Sequence, residues 1–317
     1  MNKAFQVEYI DRKTGEKVAE SVMGDGALRF AYETLAGRTL WSVLFGSKLI
    51  SAYMGRRYDS RSSRKAIAKL VAIPGCRADE AEKPVTAYES FNEFFTRHLK
   101  PGARPVGEGF VSPADGRLRL YLNADADQPF PLKGATKSLR EVFAPGADTS
   151  QSVFDFEKTY DIAVVRLAPV DYHRFHFPCD SIVLGDAKVI PGKYHSVNPI
   201  ALLRYPDVYA DNERQILECD SKYGRYWQVD VGAFGVGTIV QTFNDELDEE
   251  FGDHVPDEDE AGRRMVKKGD ERGYFKFGGS TVILVMKAGA VKWDEDLVLN
   301  SAAGLETRVL CNERIGM

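Results

Sequence analysis

The chain has 317 residues, 44% hydrophobic and 28% charged, with a net charge of −5. That size can bury a sizeable core in one large domain or two smaller ones, and the slight acidity excludes a general nucleic-acid binder, which carries a basic surplus. Cys76, Cys179, Cys219 and Cys311 form no CxxC pair; they read as reduced, buried thiols, and neither a zinc site nor any other metal site is expected.

The first residues lack the apolar core of a signal peptide. No uncharged apolar run reaches the ~18 residues that span a bilayer; the longest candidate near the N-terminus, Thr39–Ser47, stops at Lys48. Residues 1–20 predict a short hairpin turning at Thr14-Gly15. From about Ala27 to Leu70 apolar residues recur at helical spacing, with Gly37 and Gly46 as breaks. Residues 26–77 hold ten basic and two acidic side chains, a local charge of +8 that leaves −13 for the rest. With Trp41, Leu44 and Phe45, this segment fits adsorption to an anionic membrane surface. A helical subdomain with a solvated charged face would read the same way.

Ser90-Phe-Asn-Glu93 is a capping box that starts a helix over Phe91–Leu99, ended by Pro101-Gly102. Beyond it the texture becomes β. Leu118, Leu120 and Leu122 alternate with Arg117, Arg119 and Tyr121, and further strands are expected at 162–165, 181–184, 227–231 and 281–285. Many short strands without long intervening helices predict an α+β protein with a β-rich antiparallel core. The run Asp245–Glu260 holds ten acidic residues and should be an exposed loop.

Four segments could carry chemistry. In Phe277-Gly-Gly-Ser-Thr281 two glycines place an uncrowded carbonyl before a serine hydroxyl. Attack of Ser280 on the Gly279 carbonyl would give an ester, and elimination from it would free a Gly279 carboxylate. The dehydroalanine left at 280 would take up water and release ammonia to become a pyruvoyl group, a carbonyl able to form a Schiff base and act as an electron sink. In isolation the same run is an ordinary turn before a strand. In Asp171-Tyr-His-Arg-Phe-His176, His173 and His176 suit general acid–base work; an aromatic cluster or a metal pair would also explain them. Asp115, in Ser112-Pro-Ala-Asp-Gly116, is a turn former or a carboxylate that orients a histidine. Lys193, Tyr194, His195, Ser196 and Asn198 form a short loop rich in donors for a phosphate or carboxylate.

Together these segments resemble the phosphatidylserine decarboxylase family over nearly the whole chain. The likeness also includes Tyr9-Ile-Asp-Arg-Lys-Thr-Gly15, Phe91-Asn-Glu-Phe-Phe-Thr-Arg97, Pro101-Gly-Ala-Arg-Pro105, the chain from Gly224 onward and Gly304-Leu-Glu-Thr-Arg-Val-Leu310. The resemblance implies that Ser280 is the self-cleavage nucleophile and then the pyruvoyl residue, the only cofactor. Asp115 and His176 match the groups that activate the serine, Asp115 holding the other nitrogen of His176. His173 matches the histidine of the decarboxylation step, and His195, Ser196 and Asn198 match a substrate-side loop. It further implies an N-terminal helical membrane-associating region within residues 1–100 and a catalytic domain over 101–317. Cleavage would divide the chain into self-associated pieces, 1–279 and 280–317, acting on phosphatidylserine at the cytoplasmic side of the cell membrane as a peripheral protein; a homo-oligomer is compatible with this. The long acidic run departs from the family pattern upstream of the cleavage motif. Two other classes remain open: a serine hydrolase using Ser280, His176 and Asp115, although no Gly-x-Ser-x-Gly elbow is present, and a non-catalytic lipid-binding module.

Overall fold

The period-two alternation in the middle of the chain becomes the dominant structural layer. The computed structural model describes residues 8–20, 34, 48–129, 135–143, 158–197, 199–233, 239–242, 257–277 and 280–317. Thr39–Ser47, Asn198, Gly279 and the acidic run before Asp257 lie outside these residues.

The described strands begin with β1 (Glu8–Asp11), β2 (Lys17–Ala19), β3 (Phe110–Val111), β4 (Gly116–Asp125), β5 (Thr159–Leu167) and β6 (Arg174–His176). They continue with β7 (Ser181–Val183), β8 (Lys188–Ile190), β9 (Arg214–Ser221), β10 (Tyr226–Gly232) and β11 (Ile239–Gln241). The last are β12 (Asp257–Glu258), β13 (Arg264–Val266), β14 (Glu271–Phe275), β15 (Ser280–Lys287), β16 (Glu306–Val309) and β17 (Arg314–Gly316). Twelve form one sheet in the order β12-β13-β7-β9-β10-β15-β5-β4-β16-β1-β2, with β8 also on β9. A three-stranded sheet, β11-β14-β6, and the pair β17-β3 complete the β structure among the described residues.

The expected hairpin is present as β1 and β2, with Gly15 at φ +73° in its turn. The sheet is mixed, which corrects the expectation of an antiparallel core: β1 pairs with β16 in parallel. A parallel pair needs a long crossover, and the whole chain between Asp11 and Glu306 supplies one.

Side chains alternate between the two faces of the large sheet. On β5 and β15, Val165, Leu167, Val282 and Leu284 enter one core cluster with Phe175, Phe177 and Phe275 of the small sheet's strands and loops. Their neighbours Ile162, Val164, Ile283 and Val285 enter a second, on the opposite face. A strand buried on both faces reads as a continuous apolar run, as Val282–Met286 does.

The described part of the expected helical region comprises the α-helix Lys48–Asp59, a 3-10 turn at Arg61–Ala66 and the helix Ile67–Val71. Among the described residues no helix is long and apolar enough to cross a membrane. The capping box closes as predicted on one side, with Glu93 N donating to Ser90 Oγ at 3.1 Å. The Glu93 carboxylate reaches Glu89 N instead of Ser90 N, and the helix ends at Phe95, well short of Leu99. A third cluster packs Ile67, Leu70, Phe91, Phe94 and Phe95 against Ala168 and Val170, with Phe277 beside them. The helical segment is thereby seated on the turn that follows β5 and on the run leading to Ser280.

Candidate active site

Ser280 opens β15, opposite Leu167 of β5 and Gly232 of β10. It is fully buried, and its Oγ has no hydrogen-bond partner among the described residues. A buried hydroxyl without a partner is costly. The residue opposite it, Gly232, contributes no side chain that would fill the space beside the hydroxyl.

The approach to Ser280 is anchored from the other side. Phe277 N donates to Asn92 Oδ1 at 3.1 Å. Its ring packs against Tyr58, Phe91 and Phe95 at centroid distances of 4.6, 4.8 and 5.2 Å. Both flanks of the Gly278-Gly279 pair are therefore fixed, one by an aromatic cage and one by the central strand.

Phe95 also stacks on the His173 ring, with centroids 3.8 Å apart. His173 is fully buried. Its Nδ1 lies 3.0 Å from the Asp171 carbonyl, which can only accept, so Nδ1 carries the proton. Nε2 is then a bare lone pair, and it too has no partner. Burial outweighs that hydrogen bond and pushes the His173 pKa down to about 3, so the ring is neutral at pH 7.

His176 sits at the end of β6, half-buried. Its Nδ1 donates to the Gly269 carbonyl at 3.0 Å, and Nε2 accepts from Tyr172 Oη at 3.3 Å. Burial lowers its pKa against the opposing pull of Glu271 and the Gly269 bond. Asp115 does not hold the other nitrogen of His176, contrary to expectation; Gly269 does. Asp115 instead takes two bonds from Arg104, Nε to Oδ1 at 2.8 Å and Nη2 to Oδ2 at 2.6 Å, and a third from Cys311 N at 2.8 Å. A bidentate guanidinium is a stronger partner than a neutral imidazole. Burial disfavours the Asp115 charge, but Arg104 prevails and holds the carboxyl below the usual range.

His195 lies in the donor-rich loop, its ring 4.1 Å from that of Tyr205. Burial, reinforced by Lys193, lowers its pKa to about 4. Asn212 ties this loop to the Ser280 end of the sheet: its Nδ2 donates to the carbonyls of both His195 and Gly232 at 2.7 Å, and its Oδ1 accepts from His195 N at 2.8 Å. Ser196 is half-buried in the same loop. Lys193 pairs with Asp211 at 3.4 Å.

A fully buried ion pair, Arg272 with Asp230, joins β14 to β10 on the face that carries Ser280, since Asp230 stands two residues from Gly232. Burial pushes the Asp230 carboxyl up, and Arg272 draws it back. Sequence reasoning missed this pair, as it missed Arg104, Asn92, Phe95 and Asn212. Arg104 and Asn92 stand inside runs that carried the family resemblance, but nothing local assigned them a partner.

The described site thus comprises a buried serine whose hydroxyl has no partner among the described residues and two histidines whose rings are neutral near pH 7. A family model described as phosphatidylserine decarboxylase matches residues 91–317. The chain is 37% identical to the phosphatidylserine decarboxylase proenzyme of Ruminiclostridium cellulolyticum, over 98% of this chain and 97% of that one. It is 36% identical to the proenzymes of that name from Fusobacterium nucleatum, over 98% and 97%, and from Chlamydia muridarum, over 97% and 96%. The chain belongs to the phosphatidylserine decarboxylase family.

Proposed function

We propose that the chain cleaves itself between Gly279 and Ser280 and then converts phosphatidylserine to phosphatidylethanolamine and CO2. The observation that carries this reading is Ser280 itself: in a chain of this family, the serine of the Gly-Gly-Ser-Thr run is buried at the head of the central strand with its Oγ unengaged. A pyruvoyl group at position 280 fits the residues present, because Gly232 leaves room opposite it and no hydrogen bond to Oγ would be lost. Once formed, that group supplies a carbonyl for the substrate amine and a sink for the electrons left by CO2.

The protein's own residues do the rest. His176, neutral near pH 7, takes the Ser280 proton on Nε2 once Tyr172 gives up its long 3.3 Å bond to that nitrogen. Asp115 favours the resulting imidazolium through space, being among the charges that raise the His176 pKa. His173 presents a bare Nε2 in an apolar cage for the decarboxylation step. The loop from Lys193 to Asn198 receives the charged headgroup. Intact mass and a denaturing gel test the proposal: the purified protein should consist of residues 1–279 and 280–317, and Ser280→Ala should stay one chain without releasing CO2. A fully active Ser280→Ala protein would overturn it.

Attachment to the cytoplasmic face of the cell membrane, as a peripheral protein, belongs to the same proposal. Arg56, Arg57, Arg61, Arg64, Lys65 and Lys69 are exposed on the helical segment whose Tyr58 packs on Phe277. At about 1 kcal/mol per cation near an anionic surface, replacing Arg56, Arg57 and Lys65 with Gln should weaken binding to phosphatidylserine-containing vesicles roughly a hundredfold in sedimentation assays. Added salt should do the same, and unchanged binding would remove the helical segment from this role.

A further inference from the structure

We infer that a buried chain of alternating charges, Glu306–Arg166–Glu20–Arg117–Asp171, positions His173 and selects its tautomer. Arg117 and Arg166 are direct cross-strand partners on β4 and β5, and Arg308 lies opposite Arg117 on β16. Three arginines in one rung repel one another, and buried cations need paired carboxylates. Arg166 holds Glu306 through Nε and Nη2 at 3.0 and 2.6 Å, and Glu20 through Nη1 and Nη2 at 3.2 and 2.7 Å. Glu20 lies 3.5 Å from Arg117, which pairs in turn with Asp171. The side chains of Glu20, Arg117, Arg166 and Asp171 are at most 4% exposed, so water barely screens the contacts among them, and only Glu306, at 21%, reaches solvent.

Asp171 is where this network meets the site. Its Oδ2 accepts from Ala168 N at 2.7 Å, and its N donates to Ala168 O at 2.9 Å, closing a tight turn just after β5. That turn aims the Asp171 carbonyl at His173 Nδ1. Because the carbonyl can only accept, the proton is held on Nδ1 and the Nε2 lone pair is left without a partner among the described residues, beneath the ring of Phe95. Asp171 and Glu20 are therefore positioning residues acting through His173. Arg166 stands opposite Thr281, the residue after Ser280, so the same network braces the strand that carries the serine. Glu20 and Glu306 enter it from opposite ends of the chain and from both predicted cleavage pieces.

The role of His173 in turnover rests on the proposed decarboxylation, but its tautomer does not, and the test separates the two. Nitrogen-15 NMR of histidine-labelled, processed enzyme, with the His173 signals assigned by loss in His173→Gln, should show protonated Nδ1 and bare Nε2. Asp171→Asn keeps an acceptor for Ala168 N but removes the charge facing Arg117. It should mix the tautomers and lower kcat on the order of a hundredfold with little change in KM, as a misplaced catalytic group does. Glu20→Gln, which touches neither His173 nor its turn, should do the same to a smaller degree, about tenfold, and it carries the test if Asp171→Asn fails to fold. Wild-type His173 signals and kcat in folded, processed Glu20→Gln would overturn the inference, whatever the melting temperature. A wild-type enzyme with the predicted tautomer but no activity on phosphatidylserine would instead count against the proposed function.

Discussion

The two histidines of one short motif are held by backbone carbonyls rather than by carboxylates. Asp171 O and Gly269 O each take an Nδ1 proton, and neither carbonyl can neutralise an imidazolium fully. Burial outweighs both bonds, so both rings are neutral near pH 7 in the folded state, and this sets a pH dependence. In the unfolded chain His173 titrates near its ordinary 6.5, whereas in the folded protein it does so at about 3. Between these values the unfolded state binds more protons, so stability contributed by the neutral ring is fully present above pH 6.5 and is lost as pH falls toward 3. In mid-window this one group contributes a slope of about 1.4 kcal/mol per pH unit. Urea unfolding at a series of pH values should show acid destabilisation across that range, with a shallower slope in His173→Gln. Identical slopes would mean that the ring is not buried neutral.

Among the elements, β14 shows how closely the small sheet is fitted over the Ser280 face. A Cβ on Gly273 would stand 2.1 Å from Val240 O and 2.7 Å from Phe175 Cζ. The first is backbone of the neighbouring strand β11, paired with β14 at Val240–Tyr274, and cannot swing away. Gly273→Ala should therefore destabilise the protein by about 1–3 kcal/mol, the usual cost of overpacking, measured as a fall in the denaturation midpoint at unchanged m-value. Legibility in the sequence followed length and periodicity at this scale. β4, β5, β7, β10 and β15 were readable, because each alternates or forms a compact apolar run. The pairs β11–β14 and β14–β6 were not: Gly273 and Arg272 break the apolar pattern, and both are explained only by what packs against them.

Across the whole molecule, the piece beginning at Ser280 is woven through the fold rather than appended to it. β15 lies between β10 and β5, β16 lies between β4 and β1, and β17 pairs with β3. Val282–Met286, Trp293, Leu297, Val309 and Ile315 are buried. Arg12 of the N-terminal hairpin bonds Asp294 and Asp296 at 2.8 and 2.7 Å. Cleavage at Gly279–Ser280 would remove one covalent bond and none of these contacts. The two pieces should co-elute in gel filtration at neutral pH and separate only in denaturant; separation under native conditions would contradict this arrangement.

The order of chemistry along the chain was legible in the sequence alone: a turn at Thr14-Gly15, a capped helix at Ser90, strands in the second half and a Gly-Gly-Ser run before the most apolar of them. Such features depend on neighbours a few residues apart, where turn geometry and alternation act. What only the tertiary structure decided is which charges meet. Asp115 goes to Arg104 and not to His176, and Asp171 reaches Arg117 on a strand 54 residues upstream. Burial removes the water that would otherwise screen these charges, so the strongest available partner prevails. The identity of that partner is a property of the folded sheet rather than of any local run of residues.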